Sequence, residues 1–202
     1  MSDIIEATFR EWTWGKNPRE ARIAVFNKIR DIPYAVLPEL NDPTNYIKIL
    51  DLNRGSCTPK HFLLCDMFHL LGLEVLYVVY RYRWDEFEQL YPSELRKLAR
   101  EMPLGYHLAC KVDIDGRLVL VNATIDPAMA LAGLPVNKDW DGFSDTLLPV
   151  NPCGEEELYY PSEANVIRVQ QVNDVTRTFY SGLNAWMELL RVGKHSSESE
   201  VS

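Results

Sequence analysis

The run Tyr106-His107-Leu108-Ala109-Cys110-Lys111-Val112-Asp113-Ile114-Asp115-Gly116-Arg117-Leu118-Val119-Leu120-Val121-Asn122-Ala123-Thr124 reads as a β-hairpin. One strand is expected from Tyr106 to Asp113 and the next from Leu118 to Ala123, joined at Asp115-Gly116. Asp-Gly suits a two-residue hairpin loop, whose central residues both take positive φ. That loop pairs Ile114 with Arg117, so Ala109 falls opposite Asn122 and His107 opposite Thr124. Side chains alternate between the faces of a sheet, which puts His107, Ala109, Asn122 and Thr124 on one face. Leu108, Cys110, Val112, Val119 and Val121 make the other face a core face. Asn122 is then the diagonal neighbour of His107, within reach of a polar side-chain pair.

Upstream, Arg54-Gly55-Ser56-Cys57-Thr58-Pro59-Lys60 leads into the apolar run from His61 to Leu71. Ser56 or Thr58 as cap and Pro59 in the first turn mark a helix start. Phe62, Leu63, Met67, Leu70 and Leu71 make this helix apolar on more than one side, as for a buried central helix, and Gly72 suits its end. Cys57 therefore sits at a helix N-terminus. Unpaired N–H groups there favour an anion, so a depressed thiol pKa and an oxyanion-binding backbone are expected.

The chain has 202 residues, 47% of them hydrophobic and 25% charged, which is enough for one core and one domain over residues 1–192. A net charge of −8 argues against nucleic acid and anionic lipid as main partners. The start Met1-Ser2-Asp3-Ile4-Ile5-Glu6 has no signal-peptide pattern, and no apolar run reaches membrane-span length. A cytoplasmic protein with no membrane association is expected. Cys57, Cys65, Cys110 and Cys153 lack CxxC spacing, so a zinc site is not expected and four free thiols are.

The remaining elements follow from local signals. Trp12 and Trp14 in Glu-Trp-Thr-Trp suggest a strand or arm over residues 1–16. Asn17-Pro18 opens a helix to about Arg30, with Ala21, Val25 and Ile29 as its stripe. The segment 33–56 is irregular, with a short helix near Tyr46 to Leu50. Leu73 to Tyr82 is a strand, 84–103 a helical excursion, 126–163 a surface wrap, and Asn165 to Gln171 a strand. Asp174 to Leu190 is a closing helix, and 193–202 a disordered tail.

Other chemistry-bearing residues have plainer readings. Cys65 and Cys110 read as core residues. Cys153 lies in a loop with no histidine near it in sequence. His61 and His69, eight residues apart on the central helix, read as satisfied helix residues rather than metal ligands. Asp113 and Asp115 are turn residues, and Glu155-Glu156-Glu157 a solvated run. Trp12, Trp14, Trp84 and Trp140 read as packing residues, one of which could line a groove. Asp126 is the substitute acid if the hairpin register differs.

With Gly55-Ser56-Cys57 at a helix start, His107 at the head of a strand and Asn122-Ala123-Thr124 fifteen positions on, the chain resembles the transglutaminase-like superfamily of cysteine enzymes. The similarity covers about residues 18–127. The superfamily carries Asp where this chain has Asn122; papain-type enzymes use Asn in that role. A weaker resemblance is to arylamine N-acetyltransferases, through Arg54-Gly55-Ser56-Cys57, the segment 72–84 and His107. The resemblance implies an α+β fold, transglutaminase-like or papain-like, with a central helix packed on an antiparallel sheet. It implies a Cys57-His107-Asn122 triad acting on a peptide or a small amide or acyl substrate, by hydrolysis or acyl transfer, with no metal or organic cofactor. The alternative is a catalytically inactive peptide- or partner-binding module on the same fold.

Overall fold

The hairpin register sets the sheet. In the computed structural model, which describes residues 3–198 and side chains as far as residue 192, Ile114 pairs with Arg117 and the ladder runs back to Cys110 opposite Val121. Asp115 and Gly116 have φ of 54° and 82°, as a type I′ turn demands.

Along the chain, α1 (Asp3–Thr13) and α2 (Pro18–Arg30) precede a short helix α3 (Ile49–Leu52) and the central helix α4 (Cys57–Leu70). Strand β1 (Val75–Tyr82), helix α5 (Ser93–Glu101) and strands β2 (Gly105–Ile114), β3 (Arg117–Val121) and β4 (Glu157–Tyr159) follow, before the closing helix α6 (Asp174–Glu198). The fold is α+β: an antiparallel four-stranded sheet of order β3-β2-β1-β4 with helices packed around it. The tail expected to be disordered over 193–202 is instead helical as far as Glu198, the end of α6, and residues 199–202 lie outside the described residues.

Helix α4 fills the middle because nearly all of it is apolar. Phe62, Leu63, Leu64, Cys65, Met67 and Phe68 are all buried. They pack on the core face of the sheet, made by Tyr77, Val79, Leu108, Cys110, Val112, Val119 and Val121. Helix α2 closes the other side of α4 with Val25, Phe26 and Ile29. Its start is the expected one: Asn17 accepts from the Glu20 N–H at 3.0 Å, and Glu20 accepts from the Asn17 N–H at 3.1 Å. A second cluster joins the far end of β1 to α5 and α6 through Tyr82, Trp84, Tyr91, Leu95, Phe179 and Leu183.

Three expectations are corrected. Residues 3–13 are a helix, not a strand or arm: Ile5, Phe9 and Trp12, at helical spacing, reach the core, while Trp14 is 85% exposed. The segment 165–171 is not a strand. A 3₁₀ turn occupies Pro161–Val166, β4 holds the β1 edge, and only Ile167 of the apolar residues there is buried. The four thiols are not all free: Cys65 on α4 and Cys110 on β2 form a disulfide with Cα atoms 6.7 Å apart, leaving Cys57 and Cys153 free. Both were expected in the core. Facing sides of one helix–sheet contact put them within bridging distance. In addition, Glu156 is not merely solvated: it accepts from the Tyr80 hydroxyl at 2.8 Å and pairs with Lys111.

Thiol titration checks the pairing. Denatured protein kept from reductant should show two reactive thiols, and four after reduction. Four without reduction would contradict the bridge.

Candidate functional site

The approach to Cys57 is built on a close contact. Gly55 lies in a parallel bridge with Tyr34: its N–H donates to Pro33 and its carbonyl accepts from Ala35. A side chain there would collide with Ile49, whose nearest carbon would be 2.6 Å from an added Cβ. Glycine thus lets the Ile49 side chain of α3 and the Pro59 ring lie against the helix entry. Ser56 occupies the N-cap position, but its hydroxyl bonds Asn41 at 3.0 Å instead of capping the helix.

Cys57 is 7% exposed. It donates to the Tyr106 carbonyl at 3.9 Å, with the Thr58 hydroxyl 4.0 Å away. Pairing of β3 with β2 ends at Cys110, and the thiol lies against the uncovered stretch of β2, touching backbone on both sides of His107. The expectation of a depressed thiol pKa is corrected. Burial pushes it above the ordinary value of 9, and the N–H groups of Leu108, Thr58 and Cys57 only offset part of that rise. The resting sulfur is a neutral thiol.

His107 is 3% exposed. Burial lowers its pKa to about 4, and the adjacent Asn122 carboxamide opposes the shift. Its Nε2 is buried with no hydrogen-bond partner among the described residues. Asn122, expected to orient the ring, is itself held firmly. Its Nδ2 donates to the Leu147 carbonyl at 2.9 Å, its N–H to the Thr146 hydroxyl at 2.8 Å, and its Oδ1 accepts from the Thr124 hydroxyl at 2.6 Å. The structure thus brings Cys57, His107 and Asn122 to one seam. The Asn122 carboxamide acts on the His107 ring as a hydrogen-bonding neighbour, while among the described residues no hydrogen bond joins the Cys57 thiol to that ring.

Two neighbours on α4 fix this seam. His61 is buried; its Nδ1 donates to the Cys57 carbonyl at 2.8 Å, and its Nε2 accepts from the Ala123 N–H at 3.1 Å. Accepting at Nε2 requires the neutral ring, in keeping with a pKa lowered by burial to about 3. It is a satisfied core histidine, as expected, and it ties the first turn of α4 to the residue after Asn122. Lys60 is fully buried and donates to the Arg30 carbonyl at 3.0 Å and the Thr124 carbonyl at 2.8 Å. Sequence reasoning passed over it, because a lysine in the first turn of a helix is normally solvated. Asp126 does not face His107. It accepts from the Tyr34 N–H and from Arg191 of α6, each at 2.8 Å.

Two adjoining hollows open on the seam. His107 and Thr124 line one of about 50 Å³, and Cys57 and Thr58 line another of about 20 Å³. Tyr34, Tyr82 and Trp84 stand in the walls of both, so Trp84 both packs and lines a groove. Helix α6 closes the first with Leu183, Trp186 and Met187 and the second with Tyr180. Cys153 is half-buried in its loop, its N–H bonded to the Arg81 carbonyl. His69 is exposed and does not join His61. Comparison with protein-family models, curated proteins and solved structures finds no match to this chain.

Burial holds the Lys60 pKa near 7, against an ordinary 10.5, with Asp126 opposing the drop. Between those values the unfolded chain binds the proton that the folded chain has released, so stability rises with pH across this window and levels off at its ends. Denaturant melts of the wild type minus those of Lys60→Met should show that rise from about pH 7 towards 10.5. A flat difference would mean that Lys60 keeps its proton in the fold.

Proposed function

We propose that the chain is a thiol-dependent acyl-transfer or hydrolytic enzyme of transglutaminase-like architecture, acting on a peptide-like amide or acyl substrate. Cys57 is the nucleophile, His107 the base and then the acid, and Asn122 the group that favours the imidazolium. One observation carries the reading. The thiol at the head of the central helix rests on β2 backbone on both sides of His107, whose buried Nε2 has no partner. A structural histidine would have both ring nitrogens satisfied, as His61 has.

The chemistry starts from a neutral pair. With the thiol above 9 and the imidazole at about 4, a preformed ion pair is disfavoured. Attack then requires His107 to take the thiol proton as sulfur bonds to the acyl carbon. The N–H groups of Cys57 and Thr58 lie at the helix start, where they can stabilise the oxyanion. Expulsion of the leaving group with the proton from His107 leaves a thioester at Cys57. Water or an acceptor then resolves it with His107 again as base.

A second reading has a specific observation in its favour. The thiol is protonated and nearly sealed under α6, as suits an inactive module that binds a peptide or partner in the same groove.

Acylation by p-nitrophenyl acetate separates the two. The enzyme reading expects one acetyl group on Cys57, at a rate flat between about pH 4 and 9, the window in which both groups are neutral. His107→Ala should lower that rate by roughly 10²–10⁴-fold. Acetylation confined to Cys153, or insensitive to His107→Ala, supports the inactive module. Asn122→Asp adds a negative charge beside the ring and should move the acid limb of the profile to higher pH. An unmoved limb would remove Asn122 from the triad.

A further inference from the structure

The two hollows at the seam differ in what covers them. Helix α6 walls both, and it is pinned: Asn184 bonds both backbone groups of Val36, and Arg191 pairs with Asp126 at 2.8 Å. The Cys57 hollow has a second cover. It is the irregular stretch 167–173, between the 3₁₀ turn at Pro161–Val166 and α6. Val169 and Gln170 of this stretch line the hollow with Cys57 and Tyr106. The same two residues and Tyr106 also line an outer groove of about 590 Å³, shared with Leu104 and Arg168.

The stretch is fastened at its ends and loose between them. Ile167 is buried in the main core. At the other end Asn173 and Thr176 exchange bonds of 2.8 and 2.9 Å at the start of α6, and the Thr176 hydroxyl reaches the Gln171 carbonyl at 3.4 Å. Among the described residues, the backbone groups of Arg168, Val169 and Gln170 make no hydrogen bond. Arg168 has an ion pair with Glu157 at 3.8 Å, too exposed to hold much. Gln170 favours release, because its Oε1 is buried without a partner and water would restore its hydration. We propose that residues 167–173 form a strap that closes the Cys57 site at rest and swings off it, hinged at Ile167 and Asn173, to admit a substrate.

Size makes such a motion necessary. A water needs roughly 10–15 Å³, so a space of about 20 Å³ holds a water and no acyl group. Withdrawing α6 would break the Asn184 and Arg191 bonds and uncover the cluster that holds Tyr91, Phe179 and Leu183. Lifting the strap breaks no backbone hydrogen bond of its central residues and joins the hollow to the outer groove in one cleft ending at the thiol. The least stabilised segment is the one that opens. As a gate on catalysis the strap rests on the thiol-enzyme reading; as a cover over Cys57 it does not.

The test uses the full chain carrying Cys153→Ser, which leaves Cys57 as its free thiol, alkylated with iodoacetamide at one fixed pH and read by mass spectrometry. Val169→Gly with Gln170→Gly adds backbone freedom to the open strap. It should speed Cys57 alkylation about tenfold while amide exchange in α6 stays unchanged. Gln170→Leu replaces the unpaired oxygen with an apolar side chain and should slow alkylation roughly fivefold. An unchanged rate in the glycine variant, or a rise matched by faster exchange in α6, would overturn the strap. If the glycine variant does not fold, Gln170→Leu decides, and a rate equal to or above that of the parent chain overturns it. The strap effect should persist on a His107→Ala background, because covering a thiol needs no base. A strap effect beside acylation that ignores His107 would sink the enzyme reading alone. Acylation that depends on His107 without a strap effect would sink the strap alone.

Discussion

The contact between the first turn of α4 and the backbone of β2 beyond Cys110 is the constraint on which the rest depends. Strand β3 leaves β2 there, and the exposed backbone receives the Cys57 thiol in its place. Three bonds hold the helix in that position. His61 ties the Cys57 carbonyl to the Ala123 N–H, Lys60 ties the same turn to the Thr124 carbonyl, and Cys65 is bridged to Cys110 two turns on. Thiol, imidazole and carboxamide lie along one seam because the helix start and the strand end are locked together.

Electrostatics at this seam is a contest between burial and polar surroundings. A helix N-terminus favours a thiolate, typically by a fraction of a kcal/mol to about 2 kcal/mol. Removing a charge from water costs more, and Cys57 is nearly sealed by Tyr34, Tyr82, Trp84 and α6. Burial wins, and the pair rests neutral. Helix α6 is central to that outcome. Asn184 bonds both backbone groups of Val36, at 2.8 and 2.9 Å, and Arg191 pairs with the buried Asp126 at 2.8 Å. The helix that closes the fold therefore also controls how much water reaches the thiol.

What could be read from the chain follows from how local each signal is. Asp115-Gly116 specifies a turn by itself, and period-two counting carries its register back to Cys110 opposite Val121; the expected pairs Ala109–Asn122 and His107–Thr124 do not form, because β3 leaves β2 at that point. Asn17-Pro18-Arg19-Glu20 likewise contains its own capping box. Residues 3–13 were misread because Glu-Trp-Thr-Trp imitates a strand period, whereas Ile5, Phe9 and Trp12 act through a helix that only the core reveals. Cys65 and Cys110 lie 45 residues apart, and no spacing rule joins them before helix and sheet are packed. Lys60, Asp126 and Arg191 were illegible for the same reason, their partners being remote in sequence. The depressed thiol pKa failed because a helix start is visible in the sequence and the seal above it is not.

The central claim is that the site rests as a neutral thiol beside a neutral imidazole. The ultraviolet thiolate absorbance of the wild type minus that of Cys57→Ala, followed across pH, measures this most directly. The account predicts a single midpoint above 9 that falls when α6 is loosened by Arg191→Ala. A midpoint well below 9, or a thiolate signal that vanishes on His107→Ala, would show a preformed ion pair and contradict it.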